Sequence, residues 1–138
     1  MHKRTEMSHA EAMQIVALIE AKLAGIGSGA AIAVADSHGE LIAFLRTDGC
    51  DQTSVVIAQN KAFTAARTGV ESRVIGDRSK AEGFPPTNFG EPRIVGWGGG
   101  VPIVVDGEVV GAVGVSGLPE ETDMILARSG ADLIAKGS

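Results

Sequence analysis

Few residues in this chain combine a reactive type with a suggestive spacing, and the strongest lie in one alanine-rich segment, TSVVIAQNKAFTAART. There Lys61 precedes Thr64 by one helical turn, so an ammonium and a hydroxyl on one face could hold a carboxylate or a phosphate. The same lysine could instead be a solvated helix-face residue or a tie to a neighbouring subunit. Arg46, closing the apolar run LIAFLR, could add a planar two-donor contact to the same anion, since strand ends open onto clefts. It could equally pair with Asp48 or Asp51 at the surface. The run Gly96-Trp97-Gly98-Gly99-Gly100 presents backbone N–H groups that can approach an anion without side-chain obstruction, although glycine runs also simply make bends. Trp97 could stack on a flat ligand or pack into a core or an interface. The run lacks the lysine and Ser/Thr of a phosphate-binding loop and the order of a dinucleotide fingerprint, so a nucleotide is not the expected ligand.

Other candidates are more isolated. His2, His9 and His38 are too scattered to form a metal cluster. His9 could be an axial ligand to a tetrapyrrole metal, or a partly exposed polar residue near a helix start. Cys50 precedes a helix whose dipole could favour a thiolate, but no Cys/His pairing surrounds it. Glu91, Glu121 and Asp123 are carboxylates near a proline-rich loop and the last helix start, where a general base is imaginable. A carboxylate in a first helical turn also stabilises that turn by roughly 0.3–1 kcal/mol.

Local patterning assigns the elements that must carry these residues. Ser8-His9-Ala10-Glu11 is a capping box, and Ala12, Ile15, Val16, Ile19 and Leu23 recur at helical spacing, which predicts a helix from about Ser8 to Ala24. The runs from Ala30 to Asp36 and from Leu41 to Arg46 read as a hairpin. A second helix is expected from about Asp51 to Thr68, closed by Gly69, burying Val55, Ala58, Ala62, Ala65 and Ala66. A shorter helix follows from Val70 to Glu82, weakened by Gly76, since an interior glycine costs about 1 kcal/mol. Three prolines mark Gly83 to Pro92 as a surface loop. Ile94 to Trp97 is expected as a third strand. Val101 to Val105 and Glu108 to Val115 form a second hairpin about Asp106-Gly107, a type I′ turn pair. Pro119 opens a closing helix that runs to about Lys136. The expected architecture is an α/β chain of the α+β type: a five-stranded antiparallel sheet flanked by helices.

Hydrophobic residues make up 44% and charged residues 21% of the 138 positions, the balance of one globular domain. Residues 1–7 are expected as a flexible N-terminus and 8–138 as a single domain. No run approaches the ~20 apolar residues a membrane span needs, and Met1 to Thr5 is polar and basic, so no membrane association is expected. A lone cysteine fits a reducing compartment, the cytoplasm. A net charge of −5 argues against nucleic acid as a partner.

Asp36 with Gly39, Lys61-Ala62 with Thr64-Ala65-Ala66, Gly99-Gly100-Val101-Pro102, and Gly111 to Gly117 with Asp123 together resemble the GlcG/HbpS family. The likeness runs from about His9 to Lys136 and extends to the C-terminal domain of PduO-type cobalamin adenosyltransferases. It implies a profilin-like fold, a homo-oligomer, and relatives that bind or degrade haem or serve corrinoid and small-acid metabolism. Two departures stand out: the family's SGG turn reads Ser116-Gly117-Leu118, and EGFPPTNFGEP is inserted. No motif-matched position receives the iron ligand of haem-binding members. The expected function is cytoplasmic binding of a small molecule, an anionic metabolite or a tetrapyrrole (haem or corrinoid). Arg46, Lys61, Thr64, Trp97, Gly98, Gly99 and Gly100 are the expected ligand contacts. The alternatives are a lyase, isomerase or hydrolase acting on a small organic acid, and an accessory protein of a metabolic operon.

Overall fold

A computed structural model describes residues 1–136, so the last two residues of the expected 8–138 domain lie outside the described residues. Its elements are α1 (His9–Ile26), β1 (Ala31–Asp36), β2 (Leu41–Arg46), α2 (Thr53–Thr68), α3 (Ser72–Glu82), a 3-10 turn (Pro86–Phe89), β3 (Gly100–Val105), β4 (Glu108–Ser116) and α4 (Glu120–Lys136). The local signals explain most of these boundaries. At α1 the Glu11 N–H donates to Ser8 Oγ at 3.2 Å and the Ser8 N–H donates back to Glu11 Oε1 at 2.8 Å, a closed capping box. Asp106 and Gly107 take φ values of 51° and 76°, as the two-residue turn between β3 and β4 requires.

All strands are antiparallel, in the order β2-β1-β4-β3. The two hairpins join through β1 and β4, with Ala31 opposite Ser116 and Asp36 opposite Gly111. The sheet has four strands among the described residues, not the five expected. The missing one is Ile94 to Trp97, which lies outside the ladder because side chains satisfy its backbone. The Thr64 hydroxyl donates to the Arg93 carbonyl at 3.2 Å and accepts from the Val95 N–H at 2.9 Å. Gly96 also lies directly against the backbone of Gly76 in α3, which gives the glycine inside that helix its packing reason.

Strand alternation sorts the core into two unlike faces. Ile32, Val34, Val113, Val115 and Ile103 point to one side, where Ile15, Ile19 and Leu23 of α1 and Leu126 of α4 cover them; fully burying such a side chain contributes about 1.5–3 kcal/mol. Ala31, Ala33, Ala35 and Ala112 point to the other, against Ala58, Ala62, Ala65 and Ala66 of α2. That face is so thin that the α2 backbone touches the sheet backbone. A Cβ at Gly114 would sit 2.1 Å from the Ala58 carbonyl oxygen, and one at Gly100 2.2 Å from that of Lys61.

Residues 1–7 have no regular secondary structure, but Met7 is buried beside Gly111 and Glu6 accepts hydrogen bonds from the Ser37 N–H and hydroxyl. No helix among the described residues is long and apolar enough to cross a membrane.

Gly114→Ala is expected to destabilise the fold by about 1–3 kcal/mol through overpacking against α2, measured by chemical denaturation. Gly25→Ala, at a helical position with nothing within 4 Å of the added carbon, is expected to be stabilising. Equal midpoints for the two variants would refute the close contact between α2 and the sheet.

Candidate functional site

An open cleft of about 840 Å³ lies between the first half of α2, the length of α3 and the start of α4, walled by the segment Val95–Trp97. Its size suits a small-molecule site. Burial of Lys61 from α2 and Asp123 from α4 forms its floor. Lys61 Nζ donates to the Val115 carbonyl at 2.8 Å and to Asp123 Oδ2 at 3.2 Å, and both side chains are 3% exposed. Asp123 Oδ1 accepts from the Leu118 N–H at 3.2 Å, anchoring the turn that leads into α4. Desolvation pushes the Lys61 ammonium below the ordinary lysine range and the Asp123 carboxyl above the ordinary carboxylate range. Their mutual attraction opposes both movements.

The geometry revises the expected anion anchor. The anion held by Lys61 is Asp123, within the protein. Thr64 does not join it, because its hydroxyl is engaged by Arg93 and Val95. α2 buries six consecutive residues from Lys61 to Ala66, since it is covered by the sheet on one side and by the 91–97 segment on another; neighbours on one helical face can therefore serve different partners.

The glycine run is likewise used internally. Ser72 Oγ donates to the Trp97 carbonyl at 2.6 Å and accepts from the Gly100 N–H at 2.9 Å. The Gly98 N–H donates to Glu120 Oε2 at 2.7 Å, and Gly99 accepts from the Val115 N–H at 2.9 Å. The Gly98 and Gly100 amides are thus unavailable to an anion. Trp97 itself is 59% exposed on the cleft wall, an apolar ring on a fastened backbone.

Arg46 is exposed and borders a separate hollow of about 410 Å³ with Glu20, Leu45 and Asp48, so it does not line the cavity that Lys61 floors. His9 begins α1, exposed and outside the cleft lining, and no group of three or more His, Cys, Asp or Glu side chains able to hold a metal occurs among the described residues. Burial and the adjacent Asp51 charge push the Cys50 thiol up, away from the thiolate form.

Sequence reasoning missed Ser72, Arg73 and Arg93. Arg73 ties α3 to α4 by contacts to Glu120 at 3.1 Å and Glu121 at 3.5 Å; only its spacing to Asp77, one turn on, was visible locally. Arg93 lies 3.8 Å from the Phe63 ring centroid and 2.9 Å from Glu91, clamping the proline-rich segment onto α2 by a cation–π contact. No local signal marks Ser72.

The family model of the haem-degrading protein HbpS-like group matches residues 7–132. This chain belongs to the HbpS-like family. It is 34% identical over 131 residues to a 15.0 kDa protein of the dhaT-dhaS intergenic region of Citrobacter freundii, covering 92% of this chain and 91% of that one. It is 41% identical over 85 residues to the protein GlcG of Escherichia coli, 62% of each chain. A crystal structure of a Streptomyces reticuli HbpS double mutant superposes with a TM-score of 0.88 at 27% identity, covering 97% of this chain and 90% of that one. The resemblance carried by KAFTAA and by GGVPIVVDGEVVGAVGVSG therefore identifies the family correctly, and in this HbpS-like chain those two segments are where α2 meets β3 and β4.

Lys61→Met and Asp123→Asn are each expected to cost about 3–5 kcal/mol, because each leaves a buried charge or its backbone partners uncompensated. The double variant is expected to recover part of that loss, and additive losses in a double-mutant cycle would show that the two groups are not coupled. Glu91, held at about 2 by hydrogen bonds from Arg93, is expected to favour the clamped segment above its unfolded pKa of about 4.3. That contribution is lost as pH falls through the folded value; a carboxyl NMR titration of Glu91 with a midpoint near 4 would contradict it.

Proposed function

We propose that this protein binds a flat, anionic small molecule in the cleft between α2, α3 and α4, with a tetrapyrrole as the leading ligand class. Exposure of Trp97 carries the reading: an indole left 59% accessible on a cleft wall while its carbonyl and the following amide are fastened to Ser72 and Glu120. Such a ring offers stacking area at little cost in ordering, and base–aromatic stacking of this kind is worth about 1–3 kcal/mol. Ile57 and Leu118 extend the apolar surface. Lys80 is the one cation of the lining with no carboxylate partner among the described residues, which suits a ligand carboxylate. The family description as haem-degrading and the similarity to HbpS support the tetrapyrrole class.

A small organic acid is the second reading, favoured by the hydroxyls of Thr53, Ser54 and Ser116 in the same cleft. In either case the protein acts in the cytoplasm as a homo-oligomer, the setting that the lone thiol and the family resemblance support. The expected share of Arg46 in the site is not retained, because it faces the other hollow.

Trp97 is the only tryptophan, so intrinsic fluorescence reads the cleft alone. Saturable quenching by haemin is expected, and Trp97→Ala should weaken binding measured by calorimetry about tenfold or more, equivalent to ~1.4 kcal/mol. Lys80→Gln should weaken it several-fold. Undiminished affinity in Trp97→Ala would remove the cleft from consideration, and saturation by glyoxylate but not by haemin would favour the small acid.

A further inference from the structure

The residues present suit the ring of a tetrapyrrole and do not suit its iron. Axial ligation needs a lone pair aimed across the ring plane, ordinarily from imidazole, thiolate, thioether or phenolate. None of the cleft-lining residues is His, Cys, Met or Tyr. The nitrogen side chains there are Lys61, Arg73, Lys80 and the Trp97 indole; the three cations and the indole N–H donate hydrogen bonds and offer no free lone pair.

Most of the oxygen donors are engaged as well, and Asp77, on the exposed rim, accepts from Arg73 Nε through Oδ1 at 3.1 Å. Asp51 accepts from the Thr53 hydroxyl at 2.6 Å, the Ser54 N–H at 2.9 Å and the Ser54 hydroxyl at 3.0 Å. Glu120 is held by Arg73 and the Gly98 N–H, and Asp123 by Lys61 and the Leu118 N–H. Recruiting Asp51 would remove its hold on the first turn of α2, recruiting Glu120 would release Arg73 and the Gly98 amide, and recruiting Asp123 would leave the buried Lys61 without its partner, at a cost the new bond would have to exceed. His9 on α1 and His38 on the β1–β2 turn are both exposed and outside the lining.

We infer that the cleft is blind to the central metal: it takes the porphyrin ring by stacking on Trp97 and by one carboxylate contact to Lys80, so the metal-free ring is as good a ligand as the iron form. The inference rests on the proposed ring-binding role of the cleft and deepens it by naming the ligand class as tetrapyrroles irrespective of metal. Lys80 is the only lining cation without a carboxylate partner among the described residues, so of two ring carboxylates one is gripped and the other stays in solvent.

The test titrates the full chain with protoporphyrin IX, its iron(III) form and its dimethyl ester, following Trp97 fluorescence and the visible spectrum. Dissociation constants for the first two within about threefold, no nitrogen- or sulfur-ligated low-spin spectrum for the iron form, and several-fold weaker binding of the ester support the inference. Lys80→Gln should then weaken the metal-free and iron forms by the same factor and leave the ester unaffected. Binding of the iron form more than tenfold tighter than the metal-free ring, with a low-spin spectrum, overturns metal blindness while leaving ring binding intact. Failure of all three to bind overturns the proposed function itself.

Discussion

The close approach of α2 to the sheet is the constraint on which the rest of this protein depends. Gly114 and Gly100 lie under the carbonyls of Ala58 and Lys61, with alanines on both sides of the contact. Small residues contribute little apolar area, so this face gains less from burial than the Ile/Val face covered by α1 and α4. What it gains is proximity. With its backbone on the sheet, α2 places Lys61 within reach of the Val115 carbonyl and of Asp123 at the start of α4.

Proximity creates the polar structure around the cleft. α2, α3 and α4 are joined there by Lys61–Asp123 and Arg73–Glu120, while Thr64 and Ser72 take the place of a neighbouring strand for the irregular segment from Arg93 to Gly100. No buried side-chain nitrogen or oxygen among the described residues lacks a partner. A backbone outside the sheet must find such partners or remain in water, so this segment can be irregular and still hold Trp97 at a defined position. The clamp of Arg93 over Phe63 fastens the same segment from its other end.

A buried ion pair is a costly way to join two helices, because desolvation of both charges offsets much of their attraction. Here it also orients the turn before α4 through the Leu118 amide, and it removes from the cleft floor the cation that the sequence offers to a ligand. Beyond the internal ion pairs, the cleft presents the exposed Trp97 ring, Lys80 and the Asp51 carboxylate. The family likeness secures the fold, whereas the chemistry of the site follows from which of its charges are already neutralised.

Legible in the sequence were features decided within a few residues: the Ser8–Glu11 capping box, the Asp106-Gly107 turn, the alanine face of α2 and the alternation of both hairpins. Their physics is local, so a short window contains both the cause and the effect. Not legible were the pairings of groups far apart in the chain. Lys61 finds Asp123 across 62 positions, Thr64 finds Arg93 across 29 and Ser72 finds Trp97 across 25. A short window shows that Lys61 is a cation and Trp97 an indole; only packing decides that the first is buried against an internal carboxylate and the second left exposed on the cleft wall. Burial sets what a charge is worth, and burial is a property of the whole fold.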